Sequence, residues 1–147
     1  MSREKLKSDL RSIATAVRKS LLHRWECLDA ACLPASEALA KYLFDRGYKP
    51  KVIKGTYWID NPNPEHSDEW DPGDFASEEA MEYAKHHPIH FWVEVGRFLI
   101  DITADQFQPE VEDRIPKVVI GTYKDFPRYK KEAEEVWPPQ EAGSFST

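Results

Sequence analysis

The sequence predicts an α+β fold with N-terminal helices packed on a small antiparallel β-sheet. Three observations carry this expectation. Apolar residues recur at three- and four-residue steps early in the chain, two alternating apolar runs flank a Gly-Arg pair at residues 90–103, and β-rich runs stand at 51–59 and 117–123. Helices first and strands afterwards argue against an alternating parallel sheet. At 147 residues the chain is one domain, large enough for a real core.

The elements follow in order. Residues 3–23 are expected as an amphipathic helix, because Leu6, Leu10, Ile13, Ala14, Val17 and Leu21 share one face between Lys and Arg positions. A second helix begins near Pro34, a residue suited to a first turn, and runs through Ala35, Ala38, Leu39, Tyr42 and Leu43 to a stop at Arg46-Gly47. Lys51 to Ile59 follows as a strand. The segment 60–75, rich in Pro, Asn and Asp, is expected as a surface loop. Ser77 caps a short helix with Glu78 and Glu79 in its first turn, ending at His86-His87-Pro88. After the runs at 90–103 comes a further strand, Lys117 to Tyr123. The predicted organisation is an N-terminal helix at 1–25, a core at 27–125 carrying an insertion at 60–89, and a loosely ordered tail at 130–147.

The net charge of −6 is local. From Gly55 to Ala84 there is no Lys or Arg, while Asp60, Glu65, Asp68, Glu69, Asp71, Asp74, Glu78, Glu79 and Glu82 all stand there. This balance argues against nucleic acid as a partner. The charged start, Met1-Ser2-Arg3-Glu4-Lys5, and the lack of a long apolar run predict neither a signal peptide nor a membrane span. Two cysteines make no disulfide framework, which points to a reducing cytoplasm.

Residues 90–103 are the most informative stretch. A two-residue turn at Gly96-Arg97 sets Val95 opposite Phe98 and Trp92 opposite Asp101. His90, Trp92, Asp101 and Thr103 then share one face, and His90 becomes the diagonal neighbour of Asp101. An imidazole held by a carboxylate makes two thirds of a nucleophilic triad. Cys32 offers the third member. It stands at the threshold of the second helix, where backbone N–H groups and the helix dipole favour thiolate over thiol. A small buried hydrophobe is the ordinary alternative for Cys32, and more so for Cys27.

Cys32 through Leu43, then Arg46 to Tyr57, then His90-Phe91-Trp92-Val93-Glu94-Val95 and Leu99-Ile100-Asp101-Ile102-Thr103 form an ordered pattern. It resembles the transglutaminase-like and papain-like cysteine enzymes, with a Cys at a helix start, a His-x-Trp-x-Glu strand and an Asp-x-Thr strand. The resemblance spans about residues 27–107 and implies a core of that type. It implies Cys32 as nucleophile, His90 as general base and acid, and Asp101 as the group that orients His90. Relatives of papain type place a Gln ahead of the Cys for the oxyanion, whereas no Gln lies between Met1 and Cys32. Gln106 is the nearby amide candidate. Trp92 reads either as a cleft wall or as a core ring, and Glu94 either as a support of the triad or as a plain exposed acid.

Other constellations carry less. Cys27, Cys32, His86, His87 and His90 have tolerable zinc spacing, but His86 and His87 end a helix while His90 belongs to a strand, so no metal site is assigned. The acids from Asp60 to Asp74 lack the order of a calcium loop. His23 and His66 read as surface residues, and Trp58 and Trp70 as possible cleft walls. The expected function is a small thiol hydrolase or acyltransferase acting on an amide through a thioacyl-enzyme, as a peptidase, an amidase or deamidase, or a transamidase. It needs no cofactor, and its substrate is a peptide or protein, with the acidic segment either favouring a basic one or gating the cleft. The competing expectation is a non-catalytic protein-binding module that keeps the same fold.

Overall fold

A computed structural model describes residues 2–25, 28 and 31–139. Cys27 and the last residues of the expected tail, 140–147, lie outside the described residues. The fold is α+β, as expected, and its sheet has five strands, every neighbouring pair antiparallel. Helix α1 spans Arg3–Arg24 and helix α2 spans Cys32–Asp45, followed by strand β1 at Lys51–Tyr57. Helix α3 spans Glu78–His86, and strands β2, β3, β4 and β5 span Ile89–Val95, Phe98–Asp101, Val119–Gly121 and Tyr129–Val136. The strand order β4-β3-β2-β1-β5 makes β2 central.

Helix α1 starts where Ser2 accepts a hydrogen bond from the Lys5 N–H at 3.1 Å, and it buries Leu10, Ala14, Val17 and Leu21. Helix α2 buries Ala35, Leu39, Ala40 and Leu43. These residues pack on Val93, Val95, Phe98, Ile100 and Ile102, the apolar face expected of the hairpin. The other sheet face builds a second cluster from Ile53, Tyr57, Trp92, Leu99, Phe107 and Tyr129, among others. Strict alternation in β2 and β3 therefore sends one set of side chains to the helices and the other to the aromatic layer.

The hairpin register is as expected: Val95 pairs with Phe98, Glu94 with Leu99 and Val93 with Ile100. Gly96 turns the chain at φ +58°, a conformation that costs an L side chain strain. Arg18 ties α1 to the 3₁₀ turn after β3, its guanidinium donating to Asp105 at 3.1 and 2.9 Å. The loop at 60–75 contains two short 3₁₀ turns, capped by Asn63 and Asp71.

One expectation fails here. The chain from Lys130 is not a loose tail as far as Val136: it is strand β5, paired along β1 from Tyr57↔Tyr129 to Lys51↔Val136. Only Tyr129 and Ala133 of β5 are buried, as suits an edge strand defended by charge. The Lys and Glu residues that suggested looseness are used in pairing, Lys51 to Glu134 at 2.6 Å and Lys131 to Glu94 at 3.0 Å. A register shift at Lys54/Gly55 accompanies a close crossing of backbones. A Cβ on Gly55 would stand 2.0 Å from the Lys130 carbonyl oxygen and 2.5 Å from the Trp92 ring.

Candidate active site

The ladder between β2 and β3 ends at Val93↔Ile100, while β2 stays paired with β1 back to Ile89. Near this gap the first residue of α2 meets the strand: the Phe91 backbone N–H donates to the Cys32 sulfur. The three expected residues therefore converge from three elements, Cys32 from α2, His90 from the central strand and Asp101 from the end of β3.

His90 is fully buried, and its Nε2–H donates to Asp101 Oδ2 at 2.6 Å, the diagonal contact that the hairpin register demands. Asp101 is equally buried. It also accepts the Tyr129 hydroxyl on Oδ2 at 2.6 Å, and on Oδ1 the Thr103 N–H at 2.9 Å and hydroxyl at 3.3 Å. The imidazole is boxed by rings: Phe107 edge-on with centroids 5.0 Å apart, Trp92 at 5.9 Å and Tyr57 at 6.0 Å. With Nε2 committed to Asp101, Nδ1 remains, buried and, among the described residues, without a partner in full hydrogen-bond geometry. Cys32 is the acidic neighbour of this ring.

The electrostatics follow from these contacts. Burial raises the Cys32 thiol, but the imidazole, by contact and by charge, and the Phe91 N–H outweigh it and hold the pKa below the ordinary thiol value. Burial lowers His90, yet the adjoining Asp101 carboxylate and the Cys32 sulfur overcome that and lift it to about 9. Burial likewise raises Asp101, and the charge and hydrogen bond of His90, with those of Tyr129 and Thr103, bring it below the usual carboxylate range. A lowered thiol beside a raised imidazole favours a thiolate–imidazolium pair near neutrality, titrating as one coupled unit.

Cys32 is half-buried and opens on a cleft of about 410 Å³. Its walls include Trp70 from the acidic segment, Lys85 from α3, and Gln106 and Phe107 from the 3₁₀ turn after β3. The insertion thus forms one side of the cleft, and its acids at 65, 68, 69, 71 and 74 stand outside the lining. Gln106 shares the cleft with Cys32, and its amide donates to the Thr103 carbonyl at 3.0 Å.

The remaining candidates separate. Trp92 is a core ring, fully buried, its indole N–H donating to the Tyr123 hydroxyl at 3.0 Å. Glu94 is neither exposed nor in contact with the triad; it accepts from Tyr123 at 2.6 Å and Lys131 at 3.0 Å. Of the residues with zinc spacing, Cys27 lies outside the described residues, and His86 and His87 are turned to backbone carbonyls. His86 Nδ1 lies 2.9 Å from the Ile59 carbonyl and His87 Nδ1 2.7 Å from that of Tyr83, and no group of His, Cys, Asp or Glu among the described residues is arranged to hold a metal. His23 is exposed, Trp58 lines a second cleft of about 500 Å³, and Asp60 is bound to Arg128 at 2.9 Å.

Tyr129 and Phe107 are the residues that sequence reasoning missed. Phe107 lies in a 3₁₀ turn interrupted by Pro109, which carries no periodic signal. For Tyr129 a signal existed: residues 128–137 contain neither Gly nor Pro, long enough for a strand. Comparison of the chain with family models, with curated proteins and with solved structures found no match. Among the described residues no helix is long and apolar enough to cross a membrane.

Proposed function

We propose that the protein is a cysteine-dependent amide-bond enzyme, a thiol hydrolase or acyltransferase of the transglutaminase-like and papain-like kind. The observation that carries this reading is the buried His90–Asp101 hydrogen bond at 2.6 Å beside a Cys32 whose thiol is depressed by that same imidazole. A structural cysteine needs no acid–base partner, and a buried structural histidine would have both nitrogens satisfied.

The chemistry proceeds in two halves. The Cys32 thiolate adds to the carbonyl carbon of an amide, and the oxyanion that forms needs a donor, for which Gln106 in the cleft is the side-chain candidate. The imidazolium of His90 gives its Nδ1 proton to the departing amine nitrogen, the C–N bond breaks, and the acyl group stays on sulfur as a thioester. His90, now neutral, takes a proton from water or from an acceptor amine, which attacks the thioester and releases the thiolate. Water gives hydrolysis or deamidation, and an amine gives transfer. Asp101 stays ionised throughout, fixing the tautomer with hydrogen on Nε2. The substrate is a peptide or protein segment; a preference for a basic one would come from the field of the insertion's acids around the cleft, since they stand outside its lining.

The test is the pH profile of alkylation of Cys32, with Cys27→Ser removing the other thiol. Cys32 is expected to react well below pH 8.5, about the ordinary thiol pKa, and His90→Ala is expected to push the profile above that value, because burial and the Asp101 charge are then opposed by the Phe91 N–H alone. An ordinary profile at Cys32, indifferent to His90→Ala, would sink this function. In turnover, His90→Ala should lose about 100- to 10,000-fold in kcat, measured with an activated amide substrate.

A further inference from the structure

We propose that Tyr129, on the edge strand β5, is a positioning residue of the site, its hydroxyl setting how strongly Asp101 holds the proton of His90. The inference rests on the thiol-enzyme reading above. Tyr129 and His90 donate to the same oxygen, Oδ2 of Asp101, each at 2.6 Å. Two donors on one carboxylate oxygen draw on one charge, so each weakens the other's hold. The Thr103 N–H and hydroxyl occupy Oδ1, which leaves the carboxylate no second site to offer His90 without rearrangement. The Tyr129 phenol is itself a firm donor. Burial and the Asp101 charge push its ionisation far above the usual phenol range, so it keeps its proton wherever the enzyme works.

The functional consequence lies in the second role of His90. An imidazolium held too tightly is a poor acid toward the leaving amine, and that of His90 is already raised to about 9. Tyr129 tempers that hold. Among the described residues, the groups facing the pair are few. They are Cys32 from α2, Tyr57 from β1, Asp101 from β3 and Tyr129 from β5, with Tyr123 interacting with Tyr129 from the turn after β4. Phe107 and Trp92 contribute uncharged rings. Tyr57 keeps its proton as well, its pKa pushed up to about 12 mainly by burial. The hydroxyl of Tyr129 is thus the neutral donor that shares the carboxylate oxygen with His90.

The experiment compares wild type, Tyr129→Phe and a protein carrying 3-fluorotyrosine, all on the Cys27→Ser background. The rate of Cys32 alkylation by iodoacetamide and the kcat toward an activated amide are followed from pH 5 to 10. Tyr129→Phe should move the alkaline limb, the loss of the imidazolium proton, upward by about half to one pH unit and lower kcat with little change in KM. Fluorotyrosine, a more acidic donor of nearly the same shape, should move that limb downward. A limb that stays in place or shifts the other way in Tyr129→Phe overturns the inference, whatever happens to thermal stability. If Tyr129→Phe fails to fold, the fluorotyrosine protein decides alone: a downward limb supports the role, and an unmoved or raised one removes it. A wild-type Cys32 that titrates as an ordinary thiol would instead count against the enzyme reading itself, so the two failures are distinguishable.

Discussion

Asp101 is the residue on which the site depends, accepting from His90, from Tyr129 and twice from Thr103 while buried. Removing it leaves the buried Nε2–H of His90 without its acceptor and the imidazolium without its carboxylate, so Asp101→Ala should cost about 3–5 kcal/mol in urea unfolding near neutrality. The titration shifts also set a pH dependence. Asp101 is depressed, so its contribution is present above its unfolded value of about 3.9 and fades as pH falls through its folded value. His90 is raised, so its contribution is complete below about 6.5 and is lost as pH climbs through about 9. Cys32, depressed, works in the opposite sense on the alkaline side, gaining stability as pH rises toward its unfolded value of about 8.5. Cys32→Ala should therefore make stability fall more steeply between pH 6.5 and 9 than in wild type, as urea midpoints across that range would show. At this scale the candidate triad was legible, because the sequence holds only two Cys and five His, and the hairpin register singles out Asp101 among many acids as the one beside His90. The Tyr129 hydroxyl was not, because a tyrosine acquires this role only from the neighbour that the fold gives it.

Among the elements, the hairpin β2–β3 was the easiest to read and β5 the hardest. The hairpin has strict alternation and a Gly at the turn, two local signals that agree on one register. Strand β5 reads Tyr-Lys-Lys-Glu-Ala-Glu-Glu-Val, with low strand propensity, and it is held as an edge by β1 and by Lys–Glu pairs. Its seat depends on Gly55. Gly55→Ala places a methyl group 2.0 Å from the Lys130 carbonyl, so β5 has to move away from β1. The expected cost is about 1–3 kcal/mol in unfolding, and because Tyr129 adjoins Lys130, the pH profile of Cys32 should shift with it. Amide exchange should show faster opening of residues 129–136 than of β2, which would locate the effect in the edge strand.

At the scale of the molecule, two layers meet at the site: helices cover one sheet face, an aromatic layer lies on the other, and Cys32 reaches His90 near the gap where β2 parts from β3. The acidic insertion adds a wall beside this point. Replacing Asp68, Glu69, Asp71 and Asp74 by their amides should reduce the preference for lysine-flanked over glutamate-flanked peptides and flatten the salt dependence of kcat/KM. The alkylation profile of Cys32 should stay in place, because none of the four is among the groups that perturb its thiol. By itself the sequence determined the α+β layout and the face that His90 and Asp101 share, and it offered Cys32, His90 and Asp101 as candidates, since each follows from local periodicity or from a side chain of distinctive chemistry. Only the tertiary structure decided that Glu94 turns to Lys131 and Tyr123, that β5 closes the sheet, and that Tyr129 joins His90 on one carboxylate oxygen. Those contacts join residues far apart in the chain, and their energy comes from burial and paired charge, which no local pattern encodes.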